Sequence, residues 1–247
     1  MPKTTLNIKL LDVTENALAL IYSACRQCYS EEFAGDIFEK IKLDQVKQAA
    51  FIKKIISSGH ESPLEHVKFT FAIEGVSRAL THQLVRHRLA SYSQQSQRYV
   101  GENDFDYIIP PSIKNNPLAK EEFEKTMDLI QDSYTRISGF LAQQGLSGEA
   151  ANQDARFVLP QAAETKIIVT MNCRELLHFF KHRCCSRAQW EIRELAEKML
   201  MDCKRCLPLL FSKAGAKCSS LGFCPEGARF SCGRFPVKEE KSTKTGK

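Results

Sequence analysis

A polar segment near the middle of the chain limits the possible folds most, because it cannot fill a hydrophobic core. It runs from Arg86 to Tyr99 and packs three arginines, one histidine, three serines and three glutamines into fourteen residues. Leu80, Leu84 and Val85 precede it at helical spacing, so we expect the segment to continue from an anchored helix. Any fold of this chain must hold the segment at the surface or in a ligand site.

The arginines of this segment predict anion recognition. A guanidinium presents a planar fork of donors that matches phosphate or carboxylate oxygens, and neighbouring hydroxyl and amide groups add directional hydrogen bonds. A solvated polar turn is the alternative, and it is typical of most charged runs. The segment contains no acidic residue that could neutralise it. This favours an anionic ligand.

The composition is that of an ordinary globular protein and narrows the function only modestly. The 247 residues, 43% hydrophobic and 26% charged, suit one large domain or two small ones. No apolar run is long enough to span a membrane and no apolar signal core follows the first residues, so we expect a cytoplasmic protein without membrane association. The net charge of +6 does not require a nucleic-acid partner. The ten cysteines are expected to be reduced, buried or metal-bound.

Hydrophobic periodicity predicts a helix-rich α+β fold with a small, mainly antiparallel sheet. Strands are predicted at residues 4–10, 67–73 and 166–171, and helices at 14–28, 45–57, 76–88, 118–144, 149–158, 174–182 and 188–211. Ser62, Pro63 and Glu65 predict a capping box at a further helix start. We expect a main domain over residues 1–212, a cysteine-containing extension over 213–237 and a disordered tail over 238–247.

Other clusters of side chains match the polar segment in chemical type. They are His60, Ser62, Glu65 and His66; Gln153 and Arg156; and Asn172, Arg174, His178, His182 and Arg183. Residues 174, 178 and 182 fall on one helix face. The two histidines also have the spacing of a zinc pair, but no adjacent Glu or Cys completes the site, so no metal is predicted there. Glycine-rich nucleotide loops are missing from the sequence, so side chains must hold any nucleotide.

The cysteines of the C-terminal part leave a second possibility open. Cys203, Cys206, Cys218, Cys224 and Cys232 could supply a tetrahedral thiolate site. The first two are more typical of one helix, and the others lack a Cys-x-x-Cys pair, so we predict no metal. A zinc-stabilised interaction protein remains an alternative.

Taken together, these residues resemble the flavin-dependent thymidylate synthases. Five blocks match in the family order and span roughly residues 5–212. They are His60-Glu61-Ser62-Pro63-Leu64-Glu65-His66; Arg86-His87-Arg88-x-x-Ser91 with Ser96-Gln97-Arg98-Tyr99; Arg156-x-Val158-Leu159-Pro160; Asn172-Cys173-Arg174-Glu175-Leu176; and Ala188-Gln189-Trp190-Glu191-Ile192-Arg193.

The resemblance implies a homotetramer with active sites where subunits meet. It implies methylation of dUMP with carbon from 5,10-methylenetetrahydrofolate and reducing equivalents from NADPH through bound FAD, with release of tetrahydrofolate. The implied FAD residues are His60, Ser62, Glu65, Arg86, His87, Arg88, Asn172, Arg174 and His178. The implied dUMP residues are Gln83, Arg86, Gln94, Ser96, Gln97, Arg98, Arg156 and Arg183.

The chemistry of these residue types agrees with the implied roles. Arg98 and Arg156 suit a phosphate, whereas Arg183, as the catalytic residue, would stabilise negative charge on a uracil oxygen as C5 becomes nucleophilic. This chemistry needs no cysteine nucleophile. The sequence departs from the frequent family pattern at Gln94, His182 and Arg187. A basic nucleic-acid-binding module, built on Arg86, Arg88, Arg98 and Tyr99, is the alternative function.

Overall fold

The computed structural model describes residues 4–238, which form two compact units. The first comprises the described residues up to Leu11 together with Thr70–Thr170. The second comprises Asp12–Phe69 and the described residues from Met171 onward.

The described elements follow in chain order. They are β1 (Asn7–Val13), α1 (Ala17–Gln27), α2 (Ala34–Lys42), α3 (Gln45–Ser58), a 3-10 helix (Ser62–His66), β2 (Lys68–Ser77), α4 (Arg78–Leu84), β3 (Ala90–Gln94), α5 (Pro111–Lys114), α6 (Pro117–Gln143), α7 (Glu149–Ala155), a 3-10 helix (Arg156–Val158), β4 (Glu164–Asn172), α8 (Cys173–Arg183), α9 (Trp190–Cys206), α10 (Pro208–Phe211), α11 (Lys217–Leu221) and a 3-10 helix (Ala228–Phe230).

The four described strands form a small antiparallel sheet in the order β1-β2-β4-β3, mainly within the first unit. Side chains fix its register: the Asn7 amide donates to Glu74 over 2.7 Å, and the Thr70 and Thr170 hydroxyls are 3.0 Å apart. Buried and more exposed residues alternate along β4, so one of its faces is packed and the other is more accessible. The predicted helix-rich α+β class with a small antiparallel sheet is confirmed.

Gly75 in β2 is a position where only glycine fits. Its φ is 69°, and a Cβ there would lie 2.1 Å from the Thr5 carbonyl oxygen. Its N–H donates to Glu164 over 2.8 Å. The close approach of these backbones therefore depends on the absence of a side chain.

Helix α6 anchors the loop that follows the polar segment. Asn116 caps its first turn by accepting from the N–H of Ala119, and Met127 packs with Phe105 in a buried cluster. The fully buried Tyr134 accepts from the N–H of Glu102 over 3.1 Å. The loop after Arg98 is thus tied to a long helix of the same unit.

The second unit has its own core. Ala19, Tyr22, Ile37 and Ile41 bring α1 and α2 together, and the Tyr22 ring lies 4.5 Å from that of Phe51 in α3. Helix α3 ends at Ser58, one residue beyond its predicted end, and Gly59 follows in a left-handed conformation. Among residues 4–238, no helix is both long and apolar enough to cross a membrane.

Several predicted elements have to be corrected. The capping box is wrong: the residue before the 3-10 helix is Glu61, which makes no side-chain cap. Residues 76 and 77 extend β2, and Ser77 caps α4, which ends at Leu84 instead of continuing to residue 88. The predicted helix 188–211 is divided at Leu207, since Pro208 begins a separate turn of helix.

Helix α2, strand β3 inside the polar segment and the short helices α5 and α11 were not predicted. The extension over residues 213–237 contains helical turns, whereas the predicted disordered tail falls almost wholly on residues 239–247, outside the described range. Trp190, the single tryptophan of the chain, is half-buried.

Candidate functional site

The polar segment folds as a turn, a short strand and a second turn. The Tyr92 hydroxyl lies 2.8 Å from the carbonyl oxygens of both Leu84 and His87, which fixes the first turn against the end of α4. His87 is buried in this turn, whereas Arg86 and Arg88 are exposed. The two guanidiniums are therefore accessible to a ligand.

The second turn contains buried donors without acceptors. The Gln97 side chain is buried, and neither its Nε2 nor the buried Nε of Arg98 has a hydrogen-bond partner among the described residues. Gln94, by contrast, lies near two threonine hydroxyls, 3.2 Å from Thr81 and 3.3 Å from Thr165. A buried donor without an acceptor costs about 1–3 kcal/mol, so ligand oxygens at this turn would be stabilising.

Helix α7 holds both arginines that chemistry assigns to a phosphate. Glu149 forms an ion pair with Arg98, and the Asn152 amide donates to the Arg98 carbonyl over 3.0 Å. Arg156 follows the helix and donates from Nε to the carbonyl of Gln153 over 3.3 Å. The structure therefore brings Arg98 and Arg156 to one short helix of the first unit.

Arg78 is a third arginine of this region, and sequence reasoning missed it. It is half-buried, and its pKa is lowered by burial first and by repulsion from Arg156 second. Its contact with the Gln95 carbonyl is long, at 3.4 Å. The only sequence signal was an arginine directly after the Ser77 cap, which also suits an ordinary helix start.

A half-buried carboxyl, Glu102, interacts electrostatically with Arg78. Burial raises the pKa of Glu102, and repulsion from Glu164 raises it further, whereas Arg78 lowers it. Burial of Glu102 therefore opposes the ionisation that the positive charge of Arg78 favours.

The predicted residues of the second unit gather around Arg174. Arg174 pairs closely with Glu65, and its Nε is 3.8 Å from Glu61, which is also 3.8 Å from Nζ of Lys181. Glu65 is thus the partner of an arginine 109 positions away instead of a helix cap. Asn172 caps α8 by accepting from the N–H of Glu175 over 2.8 Å.

One face of α8 carries Arg174, His178 and His182, all exposed, as the spacing predicted. The two histidine rings lie 4.5 Å apart. The pKa of His182 is lowered, first by partial burial and then by repulsion from His178 and Lys217. His60 and Ser62 are also exposed, while Arg183, at the end of α8, is half-buried.

The predicted set is divided between the units. Gln83, half-buried in α4, and Ser96, whose hydroxyl accepts from the N–H of Arg98 over 3.2 Å, belong to the first unit with Arg86. Arg183 and the candidates of α8 belong to the second. Neither unit alone contains all the residues that the resemblance assigns to either ligand.

The buried cysteines near these residues are poor nucleophiles. Burial raises the pKa of the Cys173 and Cys203 thiols and raises the pKa of Cys184 to about 12. These thiols stay protonated near neutrality. Within residues 4–238, no three His, Cys, Asp or Glu side chains are arranged to hold a metal ion.

Comparison with known proteins gives the family. The family described as thymidylate synthase complementing protein matches residues 9–209. Flavin-dependent thymidylate synthases of Nitratidesulfovibrio vulgaris and Clostridium tetani are 57% and 50% identical to the chain, over 97% and 92% of its length and 99% and 93% of theirs. That of Pyrococcus abyssi is 43% identical over 95% of both chains. The chain belongs to the flavin-dependent thymidylate synthase family.

Membership of this family has direct chemical consequences. Flavin-dependent thymidylate synthases are FAD-dependent enzymes of the methyltransferase type, and the family implies synthesis of dTMP from dUMP with a folate. The resemblance of the five sequence blocks is therefore confirmed over most of the chain.

Proposed function

We propose that this flavin-dependent thymidylate synthase transfers the one-carbon unit of 5,10-methylenetetrahydrofolate to C5 of dUMP. NADPH supplies the reducing equivalents through FAD, and tetrahydrofolate is released. The observation that carries the proposal is the pair of buried, unpartnered donors, Gln97 Nε2 and Arg98 Nε, beside arginines in a chain of this family. A bound nucleotide would supply the missing acceptors.

The nucleotide is held mainly by the first unit. Arg98 and Arg156 bind the phosphate through charge-assisted hydrogen bonds, since α7 positions both. A phosphate would also offset the repulsion between Arg78 and Arg156, and we add Arg78 to this site for that reason. The remaining contacts come from Gln83, Arg86, Gln94, Ser96 and Gln97.

The donor set on α8 and in the polar segment fits FAD. Exposed Arg86, Arg88 and Arg174 offer guanidiniums suited to a pyrophosphate, and Ser62 and His178 add hydrogen-bonding groups. The further FAD residues are His60, Glu65, His87 and Asn172. Glu65 and Glu61 orient Arg174, so that its remaining N–H groups are presented in a fixed direction. Bound FAD supplies the electrons that reduce the transferred one-carbon unit to a methyl group.

Arg183 is the catalytic residue of the proposal. A guanidinium against a uracil carbonyl oxygen stabilises the negative charge that develops there as C5 attacks carbon. The side chain is half-buried at the end of α8, where solvent screens its charge less than at an open surface. Activation of this kind uses no enzyme nucleophile, in agreement with the raised pKa of the Cys173 and Cys184 thiols.

We further propose a cytoplasmic homotetramer with active sites where subunits meet. All ten cysteines are free thiols, which suits a reducing compartment. Subunit contacts would allow residues of one chain to complete a site on another.

The test is release of tritium from dUMP labelled at C5. Release that needs both NADPH and 5,10-methylenetetrahydrofolate, from a yellow preparation that NADPH bleaches, is the expected result. A colourless protein without tritium release, whose affinity for oligonucleotides falls steeply with salt, would instead establish the nucleic-acid-binding alternative.

A further inference from the structure

Four cysteines line one cavity at the C-terminal extension, in the second unit. Cys185 follows α8, whereas Cys218, Cys224 and Cys232 come from the extension. The cavity measures about 20 Å³, which is close to the space one water molecule needs. None of the four cysteines is among the residues proposed to bind the nucleotide or the flavin. The chemistry of their thiols is therefore independent of the proposed function.

The extension that builds this cavity is anchored by ionic and ring contacts. The Glu226 carboxylate forms an ion pair with Arg187 and accepts from Lys217 over 3.2 Å. The Arg187 guanidinium also lies 4.5 Å from the centre of the Phe230 ring. The N–H of Cys224 donates to the Pro236 carbonyl over 2.7 Å. The cysteines are therefore held in a defined arrangement.

The thiols differ in their surroundings. Cys232 is exposed, and hydrogen bonds from the Ser186 hydroxyl and the Arg234 backbone N–H lower its pKa. Cys218 is buried, which raises its pKa, and the nearby Cys185 and Cys224 raise it further. Cys232 is thus exposed and has a lowered pKa, and exposed thiolates are the cysteines that oxidants attack first.

Cys185 lines the same cavity as Cys232 and comes from a different segment of the chain. It directly precedes Ser186, whose hydroxyl contacts the Cys232 sulfur, and it is only half-buried. Among residues 4–238, no three potential ligands are arranged to hold a metal ion. We propose that Cys232 and Cys185 form a hydroperoxide-sensitive dithiol site that closes to a disulfide.

The reaction balances with hydrogen peroxide as the oxidant. The Cys232 thiolate attacks one peroxide oxygen, the O–O bond breaks, and the leaving hydroxide takes up a proton to become water. The Cys185 thiol then attacks the sulfenic acid sulfur, which forms the S–S bond and releases a second water. Two thiols are oxidised and one peroxide is reduced.

The experiment treats the full-length protein with hydrogen peroxide, blocks the remaining thiols by alkylation and maps the peptides without reduction. We expect a Cys185–Cys232 cross-link, the loss of two alkylatable thiols and full reversal by dithiothreitol. In the untreated parent protein, competitive alkylation should label Cys232 faster than Cys28, an exposed cysteine after α1.

Matched variants decide the assignment. Cys232→Ser should abolish the cross-link, whereas Cys28→Ser should leave it unchanged. Both cysteines are exposed, so we expect both variants to fold. The proposal fails if no cross-link forms, if Cys232 is linked to any other cysteine, or if Cys28 reacts as fast. It also fails if the purified protein contains stoichiometric zinc that the Cys232→Ser variant lacks.

Discussion

At the scale of single residues, Arg98 allows a test of phosphate binding. Arg98→Lys keeps the positive charge but loses the planar fork and the buried Nε donor. Because a phosphate contact is made equally in ground and transition states, we expect KM for dUMP to rise about tenfold or more with kcat little changed. Steady-state tritium release over a range of dUMP concentrations measures both constants.

The control for this variant is Arg205→Lys in α9. Arg205 is exposed and pairs only locally, 2.7 Å from Asp202. We expect no change in either constant. An unchanged KM in Arg98→Lys would remove Arg98 from the nucleotide site.

His182 should make stability depend on pH. Its pKa is lowered in the folded protein, so the unfolded chain binds a proton more readily than the native state. Stability is therefore unaffected by this group well above pH 6.5 and decreases as the pH falls through that value towards the lowered pKa. The decrease should be small, since the side chain is largely exposed.

Urea unfolding at pH 7.5 and pH 5.5 measures the effect. His182→Gln should show a smaller loss of midpoint on acidification than the parent, whereas His82→Gln, at another exposed histidine, should behave like the parent. Equal losses in the parent and His182→Gln would exclude His182 as the source.

Single residues also mark the limit of what the sequence could predict. Residue chemistry and order predict Arg98 and Arg156 as phosphate ligands, because both lie in local motifs. The partners Glu149 for Arg98 and Arg174 for Glu65 are 51 and 109 positions away, so tertiary packing alone selects them. The capping-box prediction for Glu65 was wrong for this reason, because the carboxylate pairs with a distant arginine instead of a local backbone N–H.

At the scale of elements, the sheet depends on the close approach at Gly75. Gly75→Ala places a Cβ against the Thr5 carbonyl and forces an alanine to a φ of 69°. We expect a loss of about 2 kcal/mol or more in the free energy of unfolding. Chemical denaturation of the purified variant tests this.

Gly139→Ala provides the opposite control. Gly139 lies in α6, and nothing is within 4 Å of a Cβ added there. We expect this variant to gain about 0.5–1 kcal/mol, because alanine loses less backbone entropy in a helix. If both variants were stabilised, the close approach at Gly75 would have no energetic consequence.

The elements that the sequence missed are those whose stability comes from their neighbours. Strand β3 is polar, and its place in the sheet follows from pairing with β4. Just after β3, the backbone N–H of Gln95 donates to the carbonyl oxygen of Lys166 over 2.9 Å. Helix α2 has only nine residues and forms through Ile37 and Ile41, which lie one turn apart and pack against α1. Long elements such as α6 were predicted to within a residue at each end.

At the scale of the whole molecule, the extension should detach when its carboxylate anchor is removed. Glu226→Gln weakens the pairing with Arg187 and Lys217, so we expect faster proteolytic cleavage within residues 213–237 and an unchanged rate in the rest of the chain. Glu194→Gln, which removes a surface pair with Lys198, is the matched control. Equal cleavage of all three proteins would show that other contacts hold the extension.

The proposed assembly can be tested by mixing inactive subunits. Arg156→Ala should lose the nucleotide phosphate and Arg174→Ala the flavin. If each active site takes Arg156 from one subunit and Arg174 from another, some active sites of a mixed tetramer contain both arginines intact. After subunit exchange of an equal mixture we expect about one quarter of the parent activity, since each arginine is intact in half of the chains.

A second mixture controls for exchange without complementation. Arg98 and Arg156 both lie beside α7 in the same unit of one chain. Every chain in a mixture of Arg98→Ala and Arg156→Ala therefore lacks one of the two arginines, and the mixture should remain inactive. Sedimentation equilibrium should give a tetramer in every sample. Recovery in the control mixture, or none in the first mixture despite exchange, would contradict a site that takes Arg156 and Arg174 from different subunits.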